Sequence, residues 1–359
     1  MSPMGVTFRI PDRYEYIGPR LVGGQGYVYV YKDTFLKRKV AIKEMRYPED
    51  ANSLREELAK ISEIRSRHVV ELYDLFEAKH SARIALVEEY VPGQTLEALA
   101  TSQEALSQAQ VIKILWQIAC GITDIHSHGI IHRDIKPQNM KLDAEGIIKI
   151  LDFGLSSNIS PEAETTAARG TTHYLAPEMY GSPPIPLGPE IDVYAFGVTV
   201  WHFLNGGIIP PPLKDIPPLS RRLCKSLQNA ETVLPERLTD LLDKTLDRDP
   251  DKRPNMSIIR DALHEQLTSG QHRLIFRQEV LSIDNPRVTI KTGTSSLSIN
   301  YDQFNFIVEK VEGDVYFNNS KATVGIALPN SLVVTFGDSS EGPARTHLPM
   351  TVLVPEVVI

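Results

Sequence analysis

Apolar and polar positions follow two different rhythms along this chain of 359 residues. From Ser53 to Ile64 apolar residues recur at Leu54, Leu58, Ile61 and Ile64, the spacing of a helix with one buried face. From Val111 to His128 the run VIKILWQIACGITDIHSH repeats its apolar residues every three or four positions and predicts a long core helix. Val40-Ala41-Ile42-Lys43 and Arg83-Ile84-Ala85-Leu86-Val87 are short apolar blocks that predict strands. Met140-Lys141-Leu142 and Ile147-Ile148-Lys149-Ile150 flank the turn residues Asp143-Ala144-Glu145-Gly146, which predicts an antiparallel hairpin. Such a hairpin folds its open ends together. Asn139 before the first strand and Asp152 after the second should then lie side by side.

Around Thr268-Ser269-Gly270 the rhythm changes to short alternating runs separated by turn residues: Leu274 to Val280, Arg287 to Lys291, Ser296 to Tyr301, Phe304 to Val311, Asp314 to Asn318, Ser331 to Phe336 and Met350 to Val354. Seven strands in this span predict a small all-β sandwich over 272–359, joined by a linker at 268–271. Residues 1–13 carry little pattern and read as a leader or extra edge strand. The stretch after Gly154, polar and rich in small residues, reads as a loop; the Pro-rich stretches Ser182 to Pro189 and Ile209 to Pro218 read as rigid connections.

Length and charge narrow the classes. A chain of this size exceeds one typical core and predicts two or more domains. With 38 basic and 45 acidic residues the net charge is −7, and no basic run offsets it, which disfavours nucleic-acid and anionic-membrane partners. Cys120 and Cys224 have no metal-type spacing and read as reduced thiols of a cytoplasmic protein. No apolar run approaches membrane-spanning length and the first ten residues lack a signal-peptide core.

Chemistry concentrates between His132 and Gly154, in HRDIKPQNMKLDAEGIIKILDFG. Asn139 and Asp152 are oxygen ligands of the hard type that Mg2+ prefers, and Asp134 stands just upstream. The ordered pattern H-R-D-x-K-x-x-N, followed 13 residues after Asn139 by D-F-G, resembles the catalytic core of eukaryotic-like (Hanks-type) serine/threonine protein kinases. The resemblance implies an α+β, two-lobed kinase fold over 14–267, with an N-lobe to about 90 and a C-lobe from about 91. It implies Asp134 as the base for the substrate hydroxyl, Lys136 as its catalytic companion, and Asn139 and Asp152 as ligands of Mg2+ or Mn2+ on ATP.

The same resemblance carries outward along the chain. Gly23, Gly24, Gly26 and Val28 lie in a glycine-rich turn that would cover the ATP phosphates, although Leu21 stands where the family has its first glycine. Lys43, 17 residues after Gly26, would bridge the phosphates to a helix glutamate, with Glu57 in register for that ion pair, Glu56 the alternative, and Ala41 beside adenine. The backbone of Glu89 and Val91 would pair with adenine, and Glu88 falls behind it, where an unpaired carboxylate is costly and calls for Lys43 or a proton. Ala176-Pro177-Glu178 closes an activation segment in which Thr165 and Thr166 are candidate phosphorylation sites and Arg133 a partner for the added phosphate, while Thr171 belongs to the substrate site. Asp192 would cap the catalytic-loop backbone and Arg253 would pair with Glu178.

The last strands, Val315-Tyr316-Phe317-Asn318-Asn319 through Leu332-Val333-Val334-Thr335-Phe336-Gly337-Asp338, resemble the close of a forkhead-associated domain over about half its length. Neither the G-R nor the S-x-x-H of that family is present. With 7 basic and 9 acidic residues over 271–359, a protein partner is expected for this domain and not nucleic acid. The expectation is thus an ATP-dependent protein kinase that acts on Ser or Thr of protein substrates and phosphorylates its own activation loop. The alternative is a pseudokinase scaffold that binds nucleotide and partners without turnover.

Overall fold

The computed structural model describes residue 8 and residues 10–23, 26–46, 51–78, 83–102, 105–153, 172–180, 188–214 and 234–357. The chain divides into two units, Met1–Leu263 and His264–Ile359. The division falls inside the helix Met256–Thr268, ahead of the stretch 268–271 where the composition changes.

The first unit begins with an antiparallel sheet of β1 (Tyr14–Gly23), β2 (Gly26–Asp33), β3 (Arg38–Arg46), β4 (Leu72–Glu77) and β5 (Arg83–Glu89), ordered β1-β2-β3-β5-β4. Period-2 alternation sorts its two faces. Tyr29, Tyr31, Val40, Ile42, Ala85 and Val87 pack with Phe8 and Tyr14 on one side. Ile84 and Leu86 pack on the other against Leu58 of helix α1 (Ala51–Glu63). The register sets Val28 opposite Lys43 and Ala41 opposite Glu88, so these four share a face with Leu86.

The helical part holds α2 (Leu96–Ala100), α3 (Gln108–Ser127), α4 (Glu190–Leu204), α5 (Glu236–Lys244) and α6 (Met256–Thr268). Helix α3 starts three residues earlier than its apolar period suggested, because Ser107 and Gln110 form a reciprocal capping box. Its Gly121 lies against His68: a Cβ there would meet the His68 carbonyl at 2.9 Å and Ile150 Cδ1 at 2.8 Å. Gly121→Ala should therefore cost about 1–3 kcal/mol through overpacking. Urea denaturation of the variant tests this, and an unchanged midpoint would contradict it.

The hairpin forms as β7 (Met140–Leu142) and β8 (Ile148–Ile150), with β6 (Gln94–Thr95) as a third strand that the sequence did not disclose. Asp143 Oδ1 accepts from the Glu145 and Ile147 N–H groups, and Gly146 takes a left-handed φ of 80°. The segment 68–70 runs beside β8, with Ile150 N–H donating to the His68 carbonyl and Val70 N–H to the Ile150 carbonyl, both at 2.9 Å. The hairpin is thereby tied to the sheet-bearing part.

The second unit has strands β9 (Arg273–Phe276), β10 (Glu279–Leu281), β11 (Arg287–Thr292), β12 (Ser295–Tyr301), β13 (Phe306–Glu312), β14 (Val315–Phe317), β15 (Ser320–Lys321), β16 (Ser331–Phe336) and β17 (Thr346–Leu353). They form two antiparallel sheets, β10-β9-β17-β16-β14-β15 and β11-β12-β13, around one apolar core. Nine strands among the described residues replace the seven expected. The run Leu274 to Val280 is not one strand but a hairpin, turned at Arg277 with φ 52°. Pro349 is tolerated inside β17 because it lies one residue beyond the pairing with β9.

Candidate active site

The loop that follows α3 is fixed by buried groups on neighbouring elements. Asp192 on α4 accepts the backbone N–H of His132 at 2.7 Å and of Arg133 at 2.9 Å, and also contacts His126 Nε2 at 2.9 Å. These bonds hold Arg133 at a φ of 68°, a left-handed conformation that a non-glycine residue keeps only under such constraint. The His132 ring is fully enclosed. Its Nδ1 accepts the Asp134 N–H at 3.3 Å, so the ring proton sits on Nε2, 3.0 Å from the Leu151 carbonyl.

Burial pushes the imidazoles of His132, His68 and His202 below their ordinary value of 6.5. In the unfolded chain they titrate normally and take up protons that the folded protein does not. Their contribution to stability is therefore present above about 6.5 and is lost as pH falls below it toward the folded values. The thermal midpoint should drop between about pH 7 and 5. His132→Gln should show a shallower drop, and an equal slope in both proteins would contradict this assignment.

Asp134 is held on both oxygens. Lys136 Nζ donates to them at 2.7 and 2.8 Å, and Asn139 Nδ2 donates to Oδ2 at 2.7 Å and to the Asp134 carbonyl at 2.9 Å. Leu151 N–H donates to the Asn139 backbone carbonyl at 2.8 Å, continuing the hairpin ladder and bringing Asp152 beside the loop. Asp152 has a φ of 58° and Phe153 packs on His132 with ring centroids 4.9 Å apart.

Lys43 reaches this group from β3 and donates to Asp152 Oδ1 at 2.8 Å. Burial works against its charge, but Asp152 and Glu88 outweigh it and the ammonium titrates above its ordinary value. Glu88 is half-buried on the same sheet face as Lys43. That enclosure pushes its carboxyl up to about 7, against the pull of Lys43 and with a smaller upward push from Asp152.

The ion pairs seen at Lys43 and Glu57 differ from the expected Lys43–Glu57 pair among the described residues. Glu57 Oε1 lies 3.7 Å from Arg133 Nη1, and Lys43 is joined to Asp152 instead. Ala41 and Val28 share the face of Lys43, and Gly23 pairs with Gly26 between β1 and β2. Gly24, Gly154, Thr165, Thr166 and Thr171 lie outside the described residues.

Two lysines of the hairpin also reach the 89–91 segment, a contact that the sequence reading missed. Lys149 pairs with Glu89 at 2.7 Å and Lys141 Nζ donates to the Val91 carbonyl at 3.0 Å. Gln117 was passed over as well. It bonds the Gly146 carbonyl and the Ile148 N–H, both at 3.0 Å, and a lone amide on an apolar helix face was its only signal. Farther off, Arg253 grips Glu178 with two bonds of 2.7 Å.

Lys43, Asp134, Lys136, Asn139 and Asp152 thus meet where the sheet joins the helical part. Residues 15–267 match the protein kinase domain family, and the chain belongs to that family. It is 34% identical over 209 residues to the serine/threonine-protein kinase PrkC of Bacillus subtilis, covering 56% of this chain and 31% of that protein. A probable serine/threonine-protein kinase of Clostridium acetobutylicum is 30% identical over 269 residues, covering 71% of this chain and 40% of the relative. The probable serine/threonine-protein kinase PknB of Lactococcus lactis is 28% identical over 289 residues, covering 75% and 44%. The chain thus spans less than half the length of these curated relatives. Among the described residues no helix is long and apolar enough to cross a membrane.

Proposed function

We propose that this chain is an ATP-dependent protein kinase that transfers the γ-phosphoryl group to serine or threonine hydroxyls of protein substrates. The observation that carries the reading is the convergence of Asp134, Lys136 and Asn139 with the Lys43–Asp152 pair. The relatives' names, serine/threonine-protein kinases, agree with it.

The donor set fits Mg2+ or Mn2+. Asp152 and Asn139 offer one carboxylate and one amide oxygen, too few for a protein cage and suited to an ion that keeps waters and binds substrate phosphates. When bound, the ion would neutralise phosphate charge. In the reaction the substrate oxygen attacks the γ-phosphorus, the bond to the β-bridging oxygen breaks, ADP leaves, and the hydroxyl proton passes to Asp134. Lys136 and Asn139 hold that carboxylate in one orientation, which is the positioning that phosphoryl transfer needs. Lys136 also brings positive charge to the transferring group, and Lys43 brings it to the other phosphates.

The remaining assignments follow the family pattern. Gly23, Gly24, Gly26 and Val28 cover the phosphates, Ala41 and the backbone of Glu89 and Val91 receive adenine, and Thr171 shapes the substrate site. Thr165 and Thr166 are proposed autophosphorylation sites, with Arg133 available to their phosphates once it leaves Glu57. The kinase domain is assigned to 14–267. Residues 272–359 are assigned to a protein-binding module, related to forkhead-associated domains in its final strands, in a cytoplasmic protein.

Coupled measurement of ADP release tests the reading. Turnover should require both a divalent ion and a protein substrate and should stop when EDTA removes the metal. Tight ATP binding with no ADP formed under any of these conditions would favour the scaffold alternative.

A further inference from the structure

We propose that Glu88, on strand β5, is the positioning residue that anchors Lys43 when Asp152 turns to the metal, a part that the family pattern gives to the glutamate of helix α1. This inference rests on the kinase reading above.

The argument begins with the sheet. Ala41 pairs with Glu88 and Lys43 with Leu86, so Lys43 and Glu88 are diagonal neighbours on one face of β3 and β5. Such neighbours stand about 7–8 Å apart at the backbone, within reach of two long side chains. The assignment of that face does not depend on the charged residues. Ile84 and Leu86, of the same parity as Glu88, pack with Leu58 of α1, while Ala85 and Val87 pack on the opposite side.

The second step is the state of the competing partners. Lys43 is buried, so its charge needs an anion at all times. Asp152 fills that need here at 2.8 Å. An ion drawn to Asp152 would take up that carboxylate's charge, leaving the ammonium to the ATP phosphates and to whichever protein carboxylate orients it toward them. Glu57 is turned to Arg133 at 3.7 Å. Glu88 shares the sheet face of Lys43, two residue pairs along the β3–β5 ladder.

The third step is rigidity. Glu88 sits in a strand hydrogen-bonded on both sides, to β3 and to β4. A lysine anchored from there keeps its place whatever the position of α1. Lys43 would therefore be set for ATP before any helix movement.

Two measurements decide the matter. In steady-state kinetics, Glu88→Gln should raise KM for ATP about tenfold, the scale of one lost charge contact. The effect should exceed that of Glu57→Gln, with Glu88→Asp recovering part of it and kcat changing less than KM. The reverse order of the two glutamine variants would overturn the proposal. A crystal structure of the wild-type protein with Mg2+ and a non-hydrolysable ATP analogue gives a readout that needs no turnover. Glu88 should lie within about 4 Å of Lys43 Nζ there. A Glu57–Lys43 pair with Glu88 turned away would overturn it even if the protein proves unable to transfer phosphate, an outcome that would count against the kinase reading alone.

Discussion

Asp134→Asn is expected to lower kcat for phosphoryl transfer by about 10²–10⁴-fold, the usual contribution of a positioned general base. The substitution is nearly isosteric, and Lys136 and Asn139 can still bond the amide oxygen, so the loop should keep its shape. What it removes is the capacity to take a proton from the attacking hydroxyl. ATP affinity should therefore stay close to that of the parent, because Asp134 acts on the substrate oxygen and not on the nucleotide. Stopped assays with a protein substrate, paired with calorimetric titration of ATP and Mg2+, separate the two quantities. Near-full turnover in this variant would remove Asp134 from the role of base.

Asp152→Asn should lose both quantities. Its carboxylate is the only acid in the pair of oxygen donors assigned to the metal, and it also holds Lys43 at 2.8 Å. Removing the charge takes away the anionic donor for Mg2+, and several kcal/mol of transition-state stabilisation go with it. At about 1.4 kcal/mol per decade, turnover should fall on the order of 10²-fold or more. Unlike the first variant, this one should bind ATP little better with Mg2+ than without it. Metal-dependent ATP affinity equal to that of the parent would show that Asp152 is not a ligand.

Much of this site could be read before any coordinates, for local reasons. The hairpin Met140–Ile150 declares itself through short apolar strands around an Asp-Gly-containing turn, and its closure brings Asn139 and Asp152 together whatever the rest of the chain does. Asp192 and Arg253 were legible through the ordered motifs around them. The partner of Glu57 was not, because helical period fixes which face of α1 is buried but not how far the helix stands from Lys43. Lys141 and Lys149 escaped notice for a related reason. Their contacts with Val91 and Glu89 cross about fifty or sixty residues of chain, and no spacing rule reports them.

In the second unit, the turn at Arg277-Gln278 contains none of the residues that normally mark one. A run of seven residues with apolar ends therefore read as one strand. The inward parity switches there, from Leu274 and Phe276 to Leu281, and only the pairing register reveals it. β10 and β15 are three and two residues long, too short for alternation to register.

The central claim is that this arrangement of Asp134, Lys136, Asn139, Lys43 and Asp152 moves a phosphoryl group from ATP to a protein hydroxyl. Its most direct test is phosphoamino-acid analysis, by mass spectrometry, of a generic protein substrate and of the chain itself after incubation with Mg2+ and γ-labelled ATP. The account predicts label on serine and threonine, including sites between Ser156 and Thr172 of the chain, and no label with Asp134→Asn. A folded wild-type protein that binds ATP and leaves every serine and threonine unlabelled would contradict it.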